Sequence, residues 1–304
     1  MLTVHNFSVG LVTPALAFIM SFIGSFLALR CTTRARVSTG RTRLGWLLAA
    51  AVSLGITGIW VMHFIAMLGF SIPGHTIQFN VLITLGSMLL SVVFVTCGLL
   101  FVGFGKVTTW SLLGAGTVTG FGVAAMHYSG MAAMVSNVKM SYNPMLFAVS
   151  VVIAIVASTA ALWAALRLHS VWSTFGAAAI MGVAVSGMHY TGMAAMHVYA
   201  GPAMSMSGVS AVDFVLPLVV GVSALTFIMT ATVALAPSGD EIASEADLMR
   251  RIEEVRAREP YSAPPPIVSS PQDRRTGKLT AFPTDSASML QAPGDTNSEL
   301  TLTE

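Results

Sequence analysis

Acidic residues are almost absent from the first two thirds of this 304-residue sequence. Residues 1–212 contain no Asp or Glu, and of the 13 acids in the chain only Asp213 precedes Asp240. Charged residues make up 9% of the chain and hydrophobic residues 55%, whereas about a quarter of the residues in a soluble domain are charged. The composition excludes an ordinary soluble domain and predicts a membrane protein with a polar C-terminal extension.

Cysteine is scarce, and the common nucleotide-binding motifs are missing. Cys31 and Cys97 have no CxxC spacing, which argues against a disulfide or a zinc knuckle. The sequence shows no phosphate-binding glycine loop, no kinase or cyclase motif and no basic stripe for nucleic acid. We therefore expect neither an enzyme nor a nucleic-acid-binding protein. The N-terminus also lacks a basic signal region, so the first apolar segment is expected to remain as a span.

Seven apolar stretches each have the roughly 20 residues that a membrane span needs. They lie at roughly 9–29, 44–69, 79–104, 110–134, 144–166, 172–196 and 212–235. The sequence thus predicts an all-α integral membrane protein with seven transmembrane helices in residues 1–236. Residues 237–304 are predicted to form a tail, with a short helix at about 239–259 and then a disordered segment rich in Pro, Ser and charge.

Basic residues collect on one side of these spans. The segment RCTTRARVSTGRTR, predicted to be a loop after the first span, contains Arg30, Arg34, Arg36, Arg41 and Arg43. Lys106 and Arg167 follow spans 3 and 5, whereas Lys139 alone lies on the opposite side. Because Lys and Arg are enriched in cytoplasmic loops, the N-terminus is predicted to lie outside and the tail inside.

A threefold internal repeat is the most informative pattern. Its histidines are 64 and 62 residues apart, at His63, His127 and His189. A Trp precedes each histidine by 17 residues, a Met precedes it by one, a Met follows it by four, and a small residue follows it by three. The small residues are Ala66, Gly130 and Gly192. The repeat unit is a pair of spans used three times, with span 1 as the extra helix.

The constant offset between tryptophan and histidine predicts that the three imidazoles lie at one depth. Seventeen helical residues measure roughly 25 Å, and Trp46, Trp110 and Trp172 start spans 2, 4 and 6, where an aromatic belt is expected. The histidines are then expected near the outer membrane face. A histidine and the methionine four residues later share one side of a helix.

Imidazole and thioether groups without carboxylates favour a soft metal, copper and in particular Cu(I), as one or two ions. Zinc held by histidine alone is the alternative metal. The candidate ligands are His63, His127, His189, Met62, Met126, Met188, Met67, Met131 and Met193. Helix-packing hydrogen bonds are the alternative role for the histidines, and core packing is the alternative for the methionines. Asn80, Asn143 and Asp213 are interpreted either as helix caps or as supports for an imidazole.

The word MHYT at Met188–Thr191, with MHYS and MHFI in the earlier copies, resembles the MHYT domain. The resemblance implies a bacterial seven-span sensor in the inner membrane, with copper near the outer face and O2, CO or NO as the signal. It covers about residues 7–235. Phe64 and Ile65 depart from the motif, so a tyrosine role cannot be threefold. No recognisable output domain follows the motif copies, which leaves signalling to a separate partner.

The pattern and the resemblance together favour a copper-binding membrane sensor of a gas or of redox state. A copper transporter or copper-loading protein is the alternative, and a redox enzyme is the least favoured hypothesis. Besides the lipid bilayer, the expected partners are a cytoplasmic signalling protein that contacts the tail and, in a homodimer, a second copy of the chain.

Overall fold

The computed structural model describes residues 2–105, 108–201, 208–235 and 239–258. Seven long helices account for most of these residues: α1 Val12–Val37, α2 Gly40–Met67, α3 Val81–Phe104, α4 Thr109–Ala132, α5 Pro144–Arg167, α6 Val171–Ala194 and α7 Ala211–Leu235. An eighth helix, α8, spans Gly239–Arg258 within the segment for which a short helix is predicted. Residues 259–304, predicted to be disordered, and Lys106 lie outside the described residues.

Five of these helices, namely α1, α2, α3, α5 and α6, are long and apolar enough to cross a membrane. The chain is therefore a multi-pass membrane protein, as its composition predicts. Helices α4 and α7 are of similar length, with 24 and 25 residues, but they fall outside that set. In α7 the apolar stretch is Val220–Val233.

Helix α1 runs on to Val37 instead of ending near residue 29. The arginines at 30, 34 and 36 therefore lie on this helix, and those at 41 and 43 lie on α2. Only two residues, Ser38 and Thr39, separate the helices. The prediction of an arginine-rich loop was wrong.

Three of these five arginines donate hydrogen bonds to backbone carbonyls at the ends of other helices. Arg34 donates to the carbonyl of Val233 in α7, Arg36 to that of Leu168 after α5, and Arg43 to that of Gly103 in α3. The last carbonyls of a helix have no partner inside the helix and carry the negative end of its dipole. We refer to the side of the bundle where these contacts lie as the arginine end.

Six of the helices form a closed ring. Each helix from α1 to α6 packs against the next, and α6 packs against α1. The even-numbered helices α2, α4 and α6 thus alternate with α1, α3 and α5. Helix α7 packs against α1 and α2 and is the extra helix, whereas the sequence assigned that role to α1. Helices α1 and α2 pack closely at Gly24 and Gly58. A Cβ on Gly24 would lie only 2.3 Å from the backbone nitrogen of Gly58, so the absence of a side chain at Gly24 permits this contact.

Helix α2 contains a π-helical segment at Ser53–Val61. Such wider turns are rare and occur frequently at functional sites. This segment ends directly before Met62 and His63. Because a π-helical turn contains more residues than an α-helical turn, the segment rotates His63 around the axis of α2 relative to the start of the helix. Regular α-helical spacing does not predict this rotation.

Short strands follow the even-numbered helices at the other end of the ring, which we refer to as the histidine end. Strands β1 Gln78–Phe79, β2 Met134–Val135 and β5 Val209–Ser210 form an antiparallel sheet in the order β2-β1-β5, and β3 Val138–Tyr142 pairs with β4 Met196–Ala200. The buried side chains of Phe79 and Val198 join the helical core. The all-α prediction therefore holds for the bundle but missed these two sheets.

Candidate metal centre

Three histidines meet inside the ring near the histidine end. His63, His127 and His189 lie in the last two turns of α2, α4 and α6. Their exposed fractions are 0, 0 and 1%. The structure thus brings together the three imidazoles that the repeat places at one depth.

The three Nδ1 atoms form a small triangle. The distance is 3.0 Å between His63 and His189, 3.1 Å between His63 and His127, and 3.3 Å between His127 and His189. The ring planes are nearly perpendicular to one another, at 82–87°, and their centroids are 4.9–5.0 Å apart. Each helix therefore presents the same nitrogen to one common point, with approximate threefold symmetry.

Hydrogen bonds alone cannot satisfy this triangle. The Nδ1 of an uncharged imidazole carries either a proton or a lone pair, so it is a donor or an acceptor but not both. Among three such atoms at least two are alike, and the contact between those two is not a hydrogen bond. Residues 1–212 offer no acid to balance a protonated ring, and burial of an unpaired charge is costly. The arrangement therefore favours a group that accepts three lone pairs at once.

A metal ion is such a group, and the dimensions of the triangle fit one. Its centre lies about 1.8 Å from each Nδ1, close to a metal–imidazole distance of about 2.0–2.1 Å. Among the described residues this is the one cluster of His, Cys, Asp or Glu that could hold an ion. Three neutral nitrogen donors suit copper or zinc rather than calcium or magnesium.

Glycines on the neighbouring even-numbered helix make room for two of the imidazoles. A Cβ on Gly130 would lie 2.6 Å from Nε2 of His63, and a Cβ on Gly192 would lie 2.3 Å from Nε2 of His127. The Nε2 atoms of all three histidines are buried without a hydrogen-bond partner among the described residues. The two glycines therefore act as seats that fix the imidazole positions by contact.

The aromatic residue after each histidine packs edge-on against it. The centroid distances are 4.9 Å for Phe64, 4.8 Å for Tyr128 and 5.0 Å for Tyr190, each to the preceding histidine. The Tyr128 hydroxyl bonds to Ser150 Oγ at 2.6 Å. The shared feature of the three copies is thus the aromatic ring and not the phenol, in line with Phe64 in the first copy.

The six motif methionines are all buried. Their exposed fractions are 1% for Met62, 1% for Met126, 2% for Met188, 4% for Met67, 0% for Met131 and 3% for Met193. Burial is expected both for core packing and for a thioether ligand, so their ligand role stays a prediction.

The remaining histidines take no part in the cluster. His197 lies in β4 opposite Ser141, His5 pairs through its backbone with Ser71, and the half-buried His75 contacts the carbonyl of Pro73. His169 lies between α5 and α6.

The polar residues at the starts of α3, α5 and α7 are part of helix caps. Asn80 Oδ1 accepts from the backbone of Ile83, and Asn143 Oδ1 accepts from the backbones of Met145 and Leu146. Asp213 and Ser210 cap the start of α7 together, because each bonds to the other. These contacts agree with capping, the first of the two interpretations.

The fold and site define a multi-pass membrane protein with a buried three-histidine centre. Residues 57–116 and 120–178 match the MHYT family model, described as a bacterial signalling protein N-terminal repeat. Two MHYT repeats thus lie within residues 57–178, and the resemblance is confirmed over that part of the chain. His63 and His127 lie inside the matched ranges, whereas the copy with His189 follows them and is joined to the other two by the structure.

Several curated signalling proteins are similar to this chain. The bifunctional diguanylate cyclase/cyclic di-GMP phosphodiesterase MucR of Pseudomonas aeruginosa is 40% identical over 190 residues, which are 60% of this chain and 27% of MucR. The cyclic di-GMP phosphodiesterase NbdA of the same species is 37% identical over 188 residues, 60% of this chain and 24% of NbdA. The signaling protein YkoW of Bacillus subtilis is 34% identical over 187 residues, 59% of this chain and 23% of YkoW.

The chain thus spans only about a quarter of the length of the curated relatives it matches. The matched part is the MHYT sensor region of these larger signalling proteins. No solved structure matches the chain.

Proposed function

We propose that this chain is a copper-binding membrane sensor that responds to a diatomic gas, O2, CO or NO, or to redox state. The observation that carries this proposal is the triangle of buried Nδ1 atoms, whose contacts cannot all be hydrogen bonds. The family, described as a repeat of bacterial signalling proteins, supports the sensor role.

The methionines are the reason to prefer copper to zinc. Six buried thioethers adjoin the three histidines along the chain, and this neutral, soft donor set suits Cu(I) better than Zn²⁺. A monovalent ion also costs less to bury without a counter-charge. When bound, copper would supply an open coordination position and a one-electron redox couple.

The residues of this chain would convert occupancy of the site into a change in helix packing. His63, His127 and His189 come from three helices, so a change in their separation moves α2, α4 and α6 relative to one another. Helix α2 contacts α7, and Arg34 of α1 joins the end of α7 at Val233. We propose that this connection leads to the tail and to a cytoplasmic signalling partner, and that a homodimer is the functional unit.

Copper content and copper flux together test this function. Protein reconstituted into lipid nanodiscs is expected to hold about one Cu(I) per chain, as measured by mass spectrometry of the metal. The same protein in proteoliposomes is expected to show no saturable copper flux. Saturable flux would favour the transporter instead. Zinc in place of copper would overturn the choice of metal, and protein without any bound metal would overturn the proposal.

We also propose seven membrane spans, with the arginine end in the cytoplasm and the histidine end outside. Helices α4 and α7, of 24 and 25 residues, measure roughly 36 Å and exceed the hydrocarbon thickness of about 30 Å. The arginines of α1 and α2 lie at one end, and Lys139 lies in β3 at the other. This distribution favours a cytoplasmic arginine end.

Reporter fusions test this orientation. Green fluorescent protein fused after Leu235 is expected to fluoresce, because that protein folds in the cytoplasm, and alkaline phosphatase at the same position is expected to be inactive. A phosphatase inserted after Tyr142, at the end of β3, is the matched control and is expected to be active. The reverse pattern of activities would invert the proposed topology.

A further inference from the structure

A cavity lies inside the ring, about one helical turn from the histidine cluster toward the arginine end. It has a volume of about 40 Å³ and is lined by all six ring helices. Ile59, Val123 and Val185 line it together, and each precedes a motif histidine by four residues, or one helical turn. Met188, adjacent to His189 in sequence, also lines it. The three-histidine centre and the cavity are therefore neighbours along each of the three even-numbered helices.

The cavity exists largely because the side chains that α5 directs toward it are small. Ala154, Ala157, Ser158, Ala161 and Ala165 all line it, and their spacing places them on one side of the helix. These short side chains do not reach far into the ring. Ala157 and Ala161 are partly exposed, whereas every other lining residue is buried. Helix α5 is therefore the thinnest wall between the cavity and the surroundings of the bundle.

The chemistry of the lining selects an uncharged and apolar occupant. Most lining residues carry only alkyl groups. Of the three hydroxyl side chains in the lining, Thr32 and Thr119 donate to the backbone carbonyls of Leu29 and Ala115, and Ser158 is the third. A buried water needs two to four polar partners, and apolar cavities of this kind stay dry and accept gases such as xenon. The volume of about 40 Å³ is sufficient for a molecule of two or three heavy atoms, since one water needs roughly 10–15 Å³ on the same measure.

We propose that this ring cavity is the binding site from which an uncharged diatomic molecule reaches the histidine cluster, and that the molecule enters through α5 from the lipid. The inference rests on the proposed sensor function and specifies where its ligand binds. Two sheets follow the even-numbered helices at the histidine end, and the apolar bilayer dissolves small apolar gases. The proposed route to the cluster therefore runs through the lipid and not through the aqueous phase at the histidine end.

Xenon serves as the probe because its binding does not depend on a metal. Crystals of the full chain pressurised with xenon are expected to show an anomalous peak between Ile59, Val123 and Val185. Replacing Ala154 by valine adds two methyl groups to a buried lining position and is expected to remove the peak. The matched control is Ala160→Val, an exposed position on the same helix, which is expected to retain it. If Ala154→Val does not fold, Ala157→Leu supplies the same comparison with Ala160→Leu.

Carbon monoxide binding to the Cu(I)-loaded protein connects the cavity to the site. Ala154→Val is expected to slow carbon monoxide association while the copper content stays at the wild-type level. The cavity proposal would be overturned if wild-type crystals showed no xenon peak. It would also be overturned if a variant that has lost the peak kept the wild-type rate of carbon monoxide association. Neither result would contradict the proposed metal site. Failure of the sensor proposal is distinguishable, because the protein would then bind xenon but no metal.

Discussion

Replacing His189 by alanine is expected to abolish stoichiometric metal binding. The substitution leaves two of the three converging Nδ1 atoms, and no acid in residues 1–212 can replace the lost donor. The affinity is expected to fall by more than the roughly 10–100-fold that follows loss of a second-shell partner. Metal content by mass spectrometry, together with competition against a chelator, measures the loss. His63→Ala and His127→Ala are expected to behave alike, because the three atoms are equivalent in the triangle.

The matched control is His197→Ala, eight residues further along the chain. His197 lies in β4, outside the cluster, so this variant is expected to retain wild-type metal content. Equal metal content in the His189 and His197 variants would show that the histidine cluster does not bind the metal.

Thermal unfolding separates a metal centre from a purely structural histidine cluster. A ligand that binds the folded state at 1,000 times its Kd stabilises it by about 4 kcal/mol. Copper is therefore expected to raise the Tm of the wild type but not that of His189→Ala. A structural role predicts the opposite pattern, with a lower Tm for the metal-free variant and no effect of copper on the wild type.

The helices and the depth of the histidines were predictable because both depend on local patterns. Apolar runs of about 20 residues identify spans, and the constant offset between Trp46 and His63, repeated twice, fixes a position along a helix. Two of the three tryptophans, Trp110 and Trp172, are exposed on the bundle surface, as expected of residues that face lipid. The first, Trp46, instead lies beneath the Arg34 guanidinium, 5.4 Å from its ring centroid.

The features that the sequence did not reveal all depend on contacts between distant segments. The acceptor of the Arg36 guanidinium group is the Leu168 carbonyl, which lies 132 positions away in the sequence. Local sequence patterns therefore do not reveal this contact. Likewise α1 enters the ring because of the close approach of Gly24 and Gly58. The repeat identified Gly130 and Gly192 as conserved positions of small size within the three copies. Which imidazole each glycine contacts depends on the order of the helices around the bundle. Their recurrence three residues after a histidine was the available signal.

A Gly192→Ala variant is expected to weaken metal binding although it keeps every proposed ligand. The added Cβ would lie 2.3 Å from Nε2 of His127 and 2.9 Å from its Cδ2, so the imidazole must shift and its Nδ1 leaves the triangle. The affinity is expected to fall by roughly 10–100-fold, as when a supporting partner of a metal ligand is removed. Gly130→Ala should act in the same way on His63. Chelator competition at equal protein concentration measures both effects.

The controls for this prediction use the same substitution where space is available. Gly187 lies on the same helix, α6, and a Cβ there would meet nothing within 4 Å, so Gly187→Ala is expected to bind metal as the wild type does. The first copy of the repeat has Ala66 at the seat position, and Ala66→Gly is expected to be tolerated because it adds no atom. A Gly192→Ala protein with wild-type affinity would mean that the His127 ring can move without cost. In that case the ring position is not fixed by the glycine, and the triangle would have to be maintained by the bound ion itself.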